Sequence, residues 1–332
     1  MVGGGAVRRA RSGGGAVNRV AAIDCGTNSI RLLVADVPAS GAATDLVRRM
    51  EVVRLGEGVD ATGRLAPQAI ERTRRALAEY AATARGLGAT AVRMVATSAS
   101  RDAANRSDFE DMVVATLGQL PDVVPGREEA ELSFLGATGS LAAAAAAHGV
   151  PAPRPPFLVV DIGGGSTEFV LGDDQGVWAA RSVDIGCVRL TERHLRGDPP
   201  TAEQVRRAED DIRAALAEVT AEVPVADATS LVGVAGSVTT VAAIALGLPA
   251  YDPAAIHGSR IPVEQVRAVT ADLLAAPRER RAAMPVMHPG RIDVIGAGAL
   301  VLRVLMDEFG LADVVVSEHD ILDGIALRLA RE

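Results

Sequence analysis

An α/β fold built twice is what this sequence predicts, and three observations predict it. The chain has 332 residues, and at about 150 residues per domain that length suits two domains. A short apolar run, a turn of small polar residues and a second apolar run occupy 20–24, 25–29 and 30–34. The same pattern returns at 157–161, 162–166 and 169–171, where a single offset (161 − 24 = 137) aligns Asp24 with Asp161, Gly26 with Gly163 and Ser29 with Ser166 without a gap.

Each copy reads as strand, tight turn, strand, because apolar β-formers flank residues that favour turns. In the first half, 67–85 carries Ile70, Thr73, Leu77, Ala81 and Ala84 at helical spacing, with Pro67 suited to a first helical position. A strand over 91–96 then runs into Thr97-Ser98-Ala99-Ser100-Arg101 and a polar helix containing Asn105. The second half repeats the order with a helix over 203–222, a strand over 231–235 and a Gly236-Ser237 turn opening the next helix. Strands that end in such turns at a helix N-terminus gather free N–H groups and the positive end of the helix dipole, which suits anions. Between the halves, the alanine run and prolines of 141–156 read as a helix ending in a surface loop. Toward the end, 291–309 reads as a helix, 314–316 as a strand and 321–331 as a final helix.

The first 18 residues are Gly-rich with Arg8, Arg9 and Arg11, lack the apolar stretch of a secretory signal and read as a disordered tail. The uncharged run 231–248 approaches the roughly 20 residues a membrane span needs, but Gly233, Gly236, Ser237, Thr239 and Thr240 near its middle favour a buried strand entering a helix. No membrane association is expected.

Composition excludes several chemistries. The net charge is −8 and all 34 basic residues are arginine, so there is no lysine for a phosphate-loop GK[ST], a kinase strand lysine or a Schiff base. Acidic balance and 2% aromatic residues argue against nucleic-acid binding. Cys25 and Cys187 show no CxxC pairing and point to a reducing cytoplasm. The histidines, His148, His194, His257, His288 and His319, lack zinc spacing and read as surface or capping residues.

The segment Asp161-Ile-Gly-Gly-Gly-Ser-Thr-Glu168 is the sharpest local signal. Three successive glycines inside a strand pattern add no packing, yet they let a ligand touch the backbone. Their N–H groups can nest phosphate oxygens, while Asp161 and Glu168 at the two ends suit a divalent cation. On the other half, Thr27, Asn28 and Ser29 offer donors and Asp24 can face a metal or its water. Cys25 has no neighbouring histidine to activate it and reads as a buried thiol. At the junction, Glu128, Glu129 and Glu131 in Gly126-Arg-Glu-Glu-Ala-Glu131 could each serve as a base for water, and position does not separate them.

The paired loops, the segment Ala96-Thr-Ser-Ala-Ser-Arg101 with Asn105, the Gly126-x-Glu128-Glu129-Ala130 junction and Gly233-Val-Ala-Gly236-Ser237-Val-Thr239 occur in one order. Together they resemble the exopolyphosphatase and guanosine pentaphosphate phosphohydrolase family, over about 20–331, with the short actinobacterial exopolyphosphatases as the nearest type. The resemblance implies two duplicated ribonuclease-H-like domains of the actin-like ATPase kind with a phosphate-binding cleft between them. It implies a tail over 1–18, an N-terminal domain over 19–128, a C-terminal domain over 129–318, and a final helix within 319–332 packing back on the N-terminal domain. It implies Glu129 as the base, Arg101 neutralising terminal phosphates, and Asp24, Asp161 and Glu168 on Mg²⁺ or Mn²⁺. Thr27, Asn28, Ser29, Ser98, Gly163, Gly164, Gly165, Ser166, Gly236 and Ser237 fall on phosphate-binding positions.

The expected reaction is hydrolysis of the terminal phosphoanhydride of inorganic polyphosphate by a cytoplasmic homodimer, with links to the stringent response. The alternatives are a guanosine pentaphosphate 5′-phosphohydrolase that also meets the tetraphosphate, a sugar or acetate kinase, and a weakly catalytic polyphosphate or guanosine-polyphosphate sensor. Against longer members the additional C-terminal helical region is not expected here, and the sequence departs from the common pattern at Pro125-Gly126 and Ser317-Glu-His-Asp320.

Overall fold

The computed structural model describes residues 17–38 and 43–332. The tail expected over 1–18 lies outside them except for Val17 and Asn18, and those two correct it. They open β1 (Val17–Cys25), where Asn18 Nδ2 donates to the Ala330 carbonyl at 2.8 Å. β1 is buried on both faces over its second half, the signature of a central strand covered above and below.

The first lobe runs β1, β2 (Ser29–Pro38), β3 (Thr44–Val52), α1 (Val59–Thr62), α2 (Pro67–Gly86), β4 (Ala91–Ala96), α3 (Ser98–Asp102), α4 (Arg106–Leu117) and β5 (Asp122–Val123). Two helices, α5 (Gly126–Thr138) and α6 (Leu141–Ala147), lead to β6 (Phe157–Ile162), β7 (Thr167–Asp173) and β8 (Gly176–Val183). There follow α7 (Cys187–Arg193), α8 (Ala202–Glu222), β9 (Ser230–Val234), α9 (Ala235–Ala245), α10 (Pro253–Ile256) and β10 (Arg260–Pro262). The chain closes with α11 (Val263–Ala275), α12 (Arg278–Ala282), α13 (Ile295–Glu308), β11 (Asp313–Val316) and α14 (Ile321–Leu329).

The duplication is visible in the sheets. One has five strands in the order β3-β2-β1-β4-β5. The other has six, and read from its far edge its order is β8-β7-β6-β9-β11 with β10 added. In each, three antiparallel strands continue into parallel ones, with β1 parallel to β4 and β6 parallel to β9. These are two ribonuclease-H-like units. The third strand of each, β3 and β8, was not expected: both are half-exposed edge strands with weak apolar alternation.

Boundaries differ from expectation in three other places. Asn105 precedes α4 rather than lying within a helix, because its side chain is committed to Leu65, accepting from the Leu65 N–H at 2.8 Å and donating to its carbonyl at 3.1 Å. A 3₁₀ turn over Pro289–Arg291 delays α13 to Ile295. No separate turn intervenes at Gly236-Ser237, since α9 begins at Ala235, which adopts a left-handed φ of 66°. The uncharged run 231–248 is β9 and α9. Among the described residues the run 126–147 is long and apolar enough to cross a membrane by length and composition alone; half of that stretch is buried inside the protein.

Two helices sit between the sheets. α14 covers the first sheet through Leu322, Ile325 and Ala326, which pack with Val20, Leu33 and Val95. α5 covers the second sheet through Ala130, Phe134 and Ala137 against Val159, Val170 and Val232. α5 runs unbroken across position 128/129. The outer faces hold the α2/α4 core of the first lobe and the α8/α9/α11/α13 core of the second.

α5 and α14 cross at two glycines. A Cβ on Gly136 would overlap the Asp320 carbonyl, and one on Gly324 would overlap the Leu132 carbonyl. Gly324→Val is therefore expected to cost at least about 1–3 kcal/mol through forced backbone displacement, read as a lowered urea midpoint. Gly86→Ala, with open space around the added carbon, should change stability by less than about 1 kcal/mol and in the favourable direction.

Candidate active site

Both duplicated turns close in the same way: Gly26 N–H donates to the Ser29 carbonyl and Gly163 N–H to the Ser166 carbonyl, each at 3.0 Å. Those two N–H groups are spent inside their turns, so the Gly163 amide is not available to a ligand as expected. The turns also touch at their tips. A Cβ on Gly164 would stand 2.9 Å from Thr27 Cβ, and one on Gly165 would stand 2.6 Å from Ser98 Oγ and 2.7 Å from Thr27 Oγ1. Thr27 Oγ1 and Ser98 Oγ are themselves hydrogen-bonded at 2.8 Å. The glycines are there because the opposite turn occupies their side-chain space.

The second turn is held from behind. Cys187 N–H donates to the Gly163 carbonyl at 3.0 Å, and the Val188 and Arg189 N–H groups donate to the Gly164 carbonyl at 2.8 and 3.1 Å. With its carbonyls engaged by α7, the turn leaves the N–H groups of Gly164, Gly165 and Ser166 without an acceptor among the described residues. Asn28 Oδ1 is likewise buried without a partner. Turning that amide over would aim its NH₂ at the same space.

That space is a cavity of about 100 Å³ at the seam of the lobes. The first lobe lines it with Asp24, Thr27, Asn28, Ser29 and Ser98, the second with Asp161, Gly163, Gly164, Ser166, Gly236 and Ser237. Glu129, near the start of α5, reaches it from between them. The three junction glutamates are thereby separated: Glu128 pairs with Arg93 at 3.0 Å, Glu131 with Arg127 at 3.3 Å, and only Glu129 faces the cavity.

Three expected residues are elsewhere. Gly165 faces a second, narrow crevice. Arg101 stands behind Glu129, with Nη1 3.1 Å from Glu129 Oε2 and 3.0 Å from the Val124 carbonyl. Glu168 is buried just outside the lining, opposite Asp161 in the β6–β7 register, and accepts from Ser182 Oγ at 2.7 Å. Sequence order placed both at the turn without showing which way they point.

Three residues missed in the sequence shape the cavity, two by lining it and one by holding Asp161. Arg31, opposite Asp24 in the β1–β2 register, donates to Asp24 Oδ2 from Nη2 at 2.7 Å and pairs with Asp320 through Nη1. Ser133 Oγ donates to Asp161 Oδ2 at 2.5 Å. Arg291 lies on Gly236, where any Cβ would overlap its guanidinium, and Nη1 donates to Thr240 Oγ1 at 2.9 Å. The antiparallel pairing of Asp24 with Arg31 across a four-residue turn was a legible signal for the first.

Burial dominates the electrostatics. Desolvation pushes the Glu129, Asp161 and Glu168 carboxyls above their ordinary range, and repulsion from neighbouring carboxylates adds to it. Burial also raises Asp24 against the pull of Arg31. Arg31 itself loses solvation, but Asp320, Asp24 and Asp161 more than restore its charge. Cys25 and Cys187 are buried free thiols with raised pKa, unsuited to nucleophilic attack.

The donor set suits a hard divalent cation only in part. Among the described residues no three His, Cys, Asp or Glu side chains converge as a ready cage, and Glu168, beside Asp161 in the ladder, does not line the cavity. Asp24, Asp161 and Glu129 nevertheless face the cavity with an excess of negative charge, and Mg²⁺ is commonly held by one or two carboxylates with water and substrate phosphate. The residues fit that mode of binding. The histidines are not all peripheral: His288 caps the 3₁₀ turn, His194 meets Asp211 at 2.9 Å, and His257 stacks on His319 with ring centroids 4.5 Å apart.

Comparison with known proteins follows the same lines. The model of the Ppx/GppA phosphatase family matches residues 33–332. Exopolyphosphatase 2 of Mycobacterium tuberculosis is 52% identical over 327 residues, covering 95% of this chain and 99% of that protein. A guanosine-5′-triphosphate,3′-diphosphate pyrophosphatase of Photobacterium profundum is 32% identical over 226 residues, 68% of this chain and 43% of that one. Among solved structures, an exopolyphosphatase-like protein superposes with a TM-score of 0.89 at 42% identity, covering 95% and 98% of the two chains. The Aquifex aeolicus Ppx/GppA family member gives 0.75 at 30%, covering 94% and 97%.

Removing Arg31 would leave Asp24 and Asp320 buried and unpaired, so Arg31→Ala should lose about 3–5 kcal/mol at pH 8. Burial already raises the Asp24 carboxyl and Arg31 pulls it down, so without Arg31 its folded pKa lies above its unfolded one; it then costs stability as pH rises through the folded value. Urea midpoints in metal-free buffer should show the deficit narrowing from pH 8 to pH 5.

Proposed function

The chain belongs to the Ppx/GppA phosphatase family, and from that premise we propose that it is an exopolyphosphatase, hydrolysing the terminal phosphoanhydride of inorganic polyphosphate to orthophosphate. The observation that carries the reading is Glu129 facing a cavity of about 100 Å³ between two phosphate-shaped turns. That volume suits one phosphoryl group with its water, whereas organic ligands usually need about 300 Å³ or more.

In this reading the terminal phosphoryl group lies against the N–H groups of Gly164 and Ser166 and the side chains of Asn28, Ser29 and Ser237. Arg31 and Arg291 offset charge that spreads over its equatorial oxygens. Glu129 takes the proton from an in-line water, and Arg101, fixed to Oε2, holds the carboxylate in that orientation and favours its charged form. Family enzymes generally use a divalent metal. Asp24 and Asp161 would hold Mg²⁺ or Mn²⁺ here, supplying neutralisation of the bridging phosphates. Glu168, opposite Asp161 on the same face of the β6–β7 pair, is proposed as the third carboxylate of this site. The two lobes, expected over 19–128 and 129–318 and parted in the structure ahead of α5, are proposed as the two jaws, and the active form as a cytoplasmic homodimer, on the strength of family membership.

A second reading has its own observation. A larger cavity of about 440 Å³ shares Arg31, Gly236 and Arg291 with the first, with Arg48, Met50, Tyr251 and Met287 among its other walls. It has room for the rest of a polyphosphate chain or for a nucleoside, so guanosine pentaphosphate remains the alternative substrate. Phosphate release from both on one preparation decides between them. In the same assay Glu129→Gln should slow turnover about 10²–10⁴-fold with KM within a few-fold of wild type. Full activity in that variant would remove Glu129 from the mechanism.

A further inference from the structure

The geometry assigns to Arg189 the part of a positioning residue: one guanidinium fixes the phosphate-facing turn of the second lobe and ties it to two carboxylates of the first. Arg189 lies in α7, and three of its nitrogens have separate acceptors. Nε donates to the Gly165 carbonyl at 2.6 Å, Nη1 to Asp60 Oδ1 at 2.7 Å and Nη2 to Asp102 Oδ2 at 2.6 Å. Its side chain is only 12% exposed, and although Asp60 and Asp102 keep some contact with water, each contact is a charge-assisted hydrogen bond of good length.

Each acceptor belongs to a segment that shapes the cavity. Gly165 adjoins Gly164 and Ser166, whose N–H groups face it. Asp102 ends α3, which begins at cavity-lining Ser98. Asp60 lies in α1, just beyond Gly56, which packs on Thr27. Two further links brace the same corner: Arg193 Nε donates to Asp60 Oδ2 at 2.7 Å, and the Gly58 N–H donates to Glu192 Oε1 at 3.1 Å. The Arg193 hydrogen bond, with a smaller one from Arg189, holds Asp60 below the usual carboxylate range against its partial burial.

A peptide plane has carbonyl and N–H on opposite sides, so a donor that fixes the Gly165 carbonyl also fixes where the Ser166 N–H points. Arg189 additionally sets how closely Gly165 sits against Thr27 and Ser98. It therefore acts on substrate through the turn and touches no reacting atom. A lysine in its place offers one compact charge and cannot hold three acceptors in that geometry.

The test uses the full chain with Arg189→Ala, Arg189→Lys and Asp102→Asn. Hydrogen exchange at the hydrogen-bonded amides of this corner, Gly163, Cys187 and Val188, should quicken about 10-fold in Arg189→Ala while α2 keeps its wild-type rates. The kinetic arm rests on the phosphatase reading above. There, kcat/KM on polyphosphate should fall about 10–100-fold, Arg189→Lys should recover part of it, and Arg189→Ala with Asp102→Asn should cost less than the sum of the two. Exchange and kcat/KM both within twofold of wild type would overturn the assignment, as would equal acceleration in α2. A wild-type protein that releases phosphate from no polyphosphate, but shows the local exchange effect, would sink the functional reading and leave Arg189 in its place.

Discussion

The seam between the lobes depends on one guanidinium surrounded by acids. Arg31 is flanked by Asp24 and Asp320, with Asp161 close enough to reinforce its charge. Any of these carboxylates buried alone would carry a desolvation cost of several kcal/mol. The same interaction joins three things. It orients Asp24 on the first turn, it faces the cavity, and it binds Asp320, which caps α14 and accepts from the Leu322 N–H. The site's charge balance and the attachment of the helix covering the first sheet therefore share a single side chain.

The duplication supplies the scaffold and its divergence supplies the fit. Under the offset of 137, Thr27 and Asn28 correspond to Gly164 and Gly165. The two turns meet face to face, and side chains on both would collide at the distances found. One copy keeps the side-chain donors while the other gives up its side chains and presents backbone. Two identical turns would either clash or leave an oversized gap.

Much of this was readable in the sequence where local chemistry decides the outcome. The strand over 91–96 matches β4 residue for residue, and α2 is fixed by Pro67 and its buried stripe. The turn residues sit at the seam because the repeat is exact in register. The edge strands β3 and β8 were not legible, since each is half exposed and stabilised mainly by its neighbour's ladder. Direction was the other loss. Glu129 and Glu168 are both acidic neighbours of the motif residues: helix phase turns the first toward the cavity, while the second, opposite Asp161 in the β6–β7 register and so on the same face, is held by Ser182 just outside the lining. The Arg31–Asp320 pair spans 289 positions, and Ser317-Glu-His-Asp320 looked only like a departure from a common pattern.

The exchange of helices across the seam bears on how the chain reaches this shape. α14 completes the core beneath β1, β2 and β4, yet the whole second lobe separates it from them in sequence. The first sheet thus waits with one face bare until everything from β6 to β11 has been made and arranged. Contacts of such long range are slow to form, and an apolar sheet face left open in the meantime invites chaperones or unwanted neighbours. Closure of that face and completion of the catalytic cavity, which Ile321 helps to line, are then a single late event, so that a half-finished molecule has no working site to misuse.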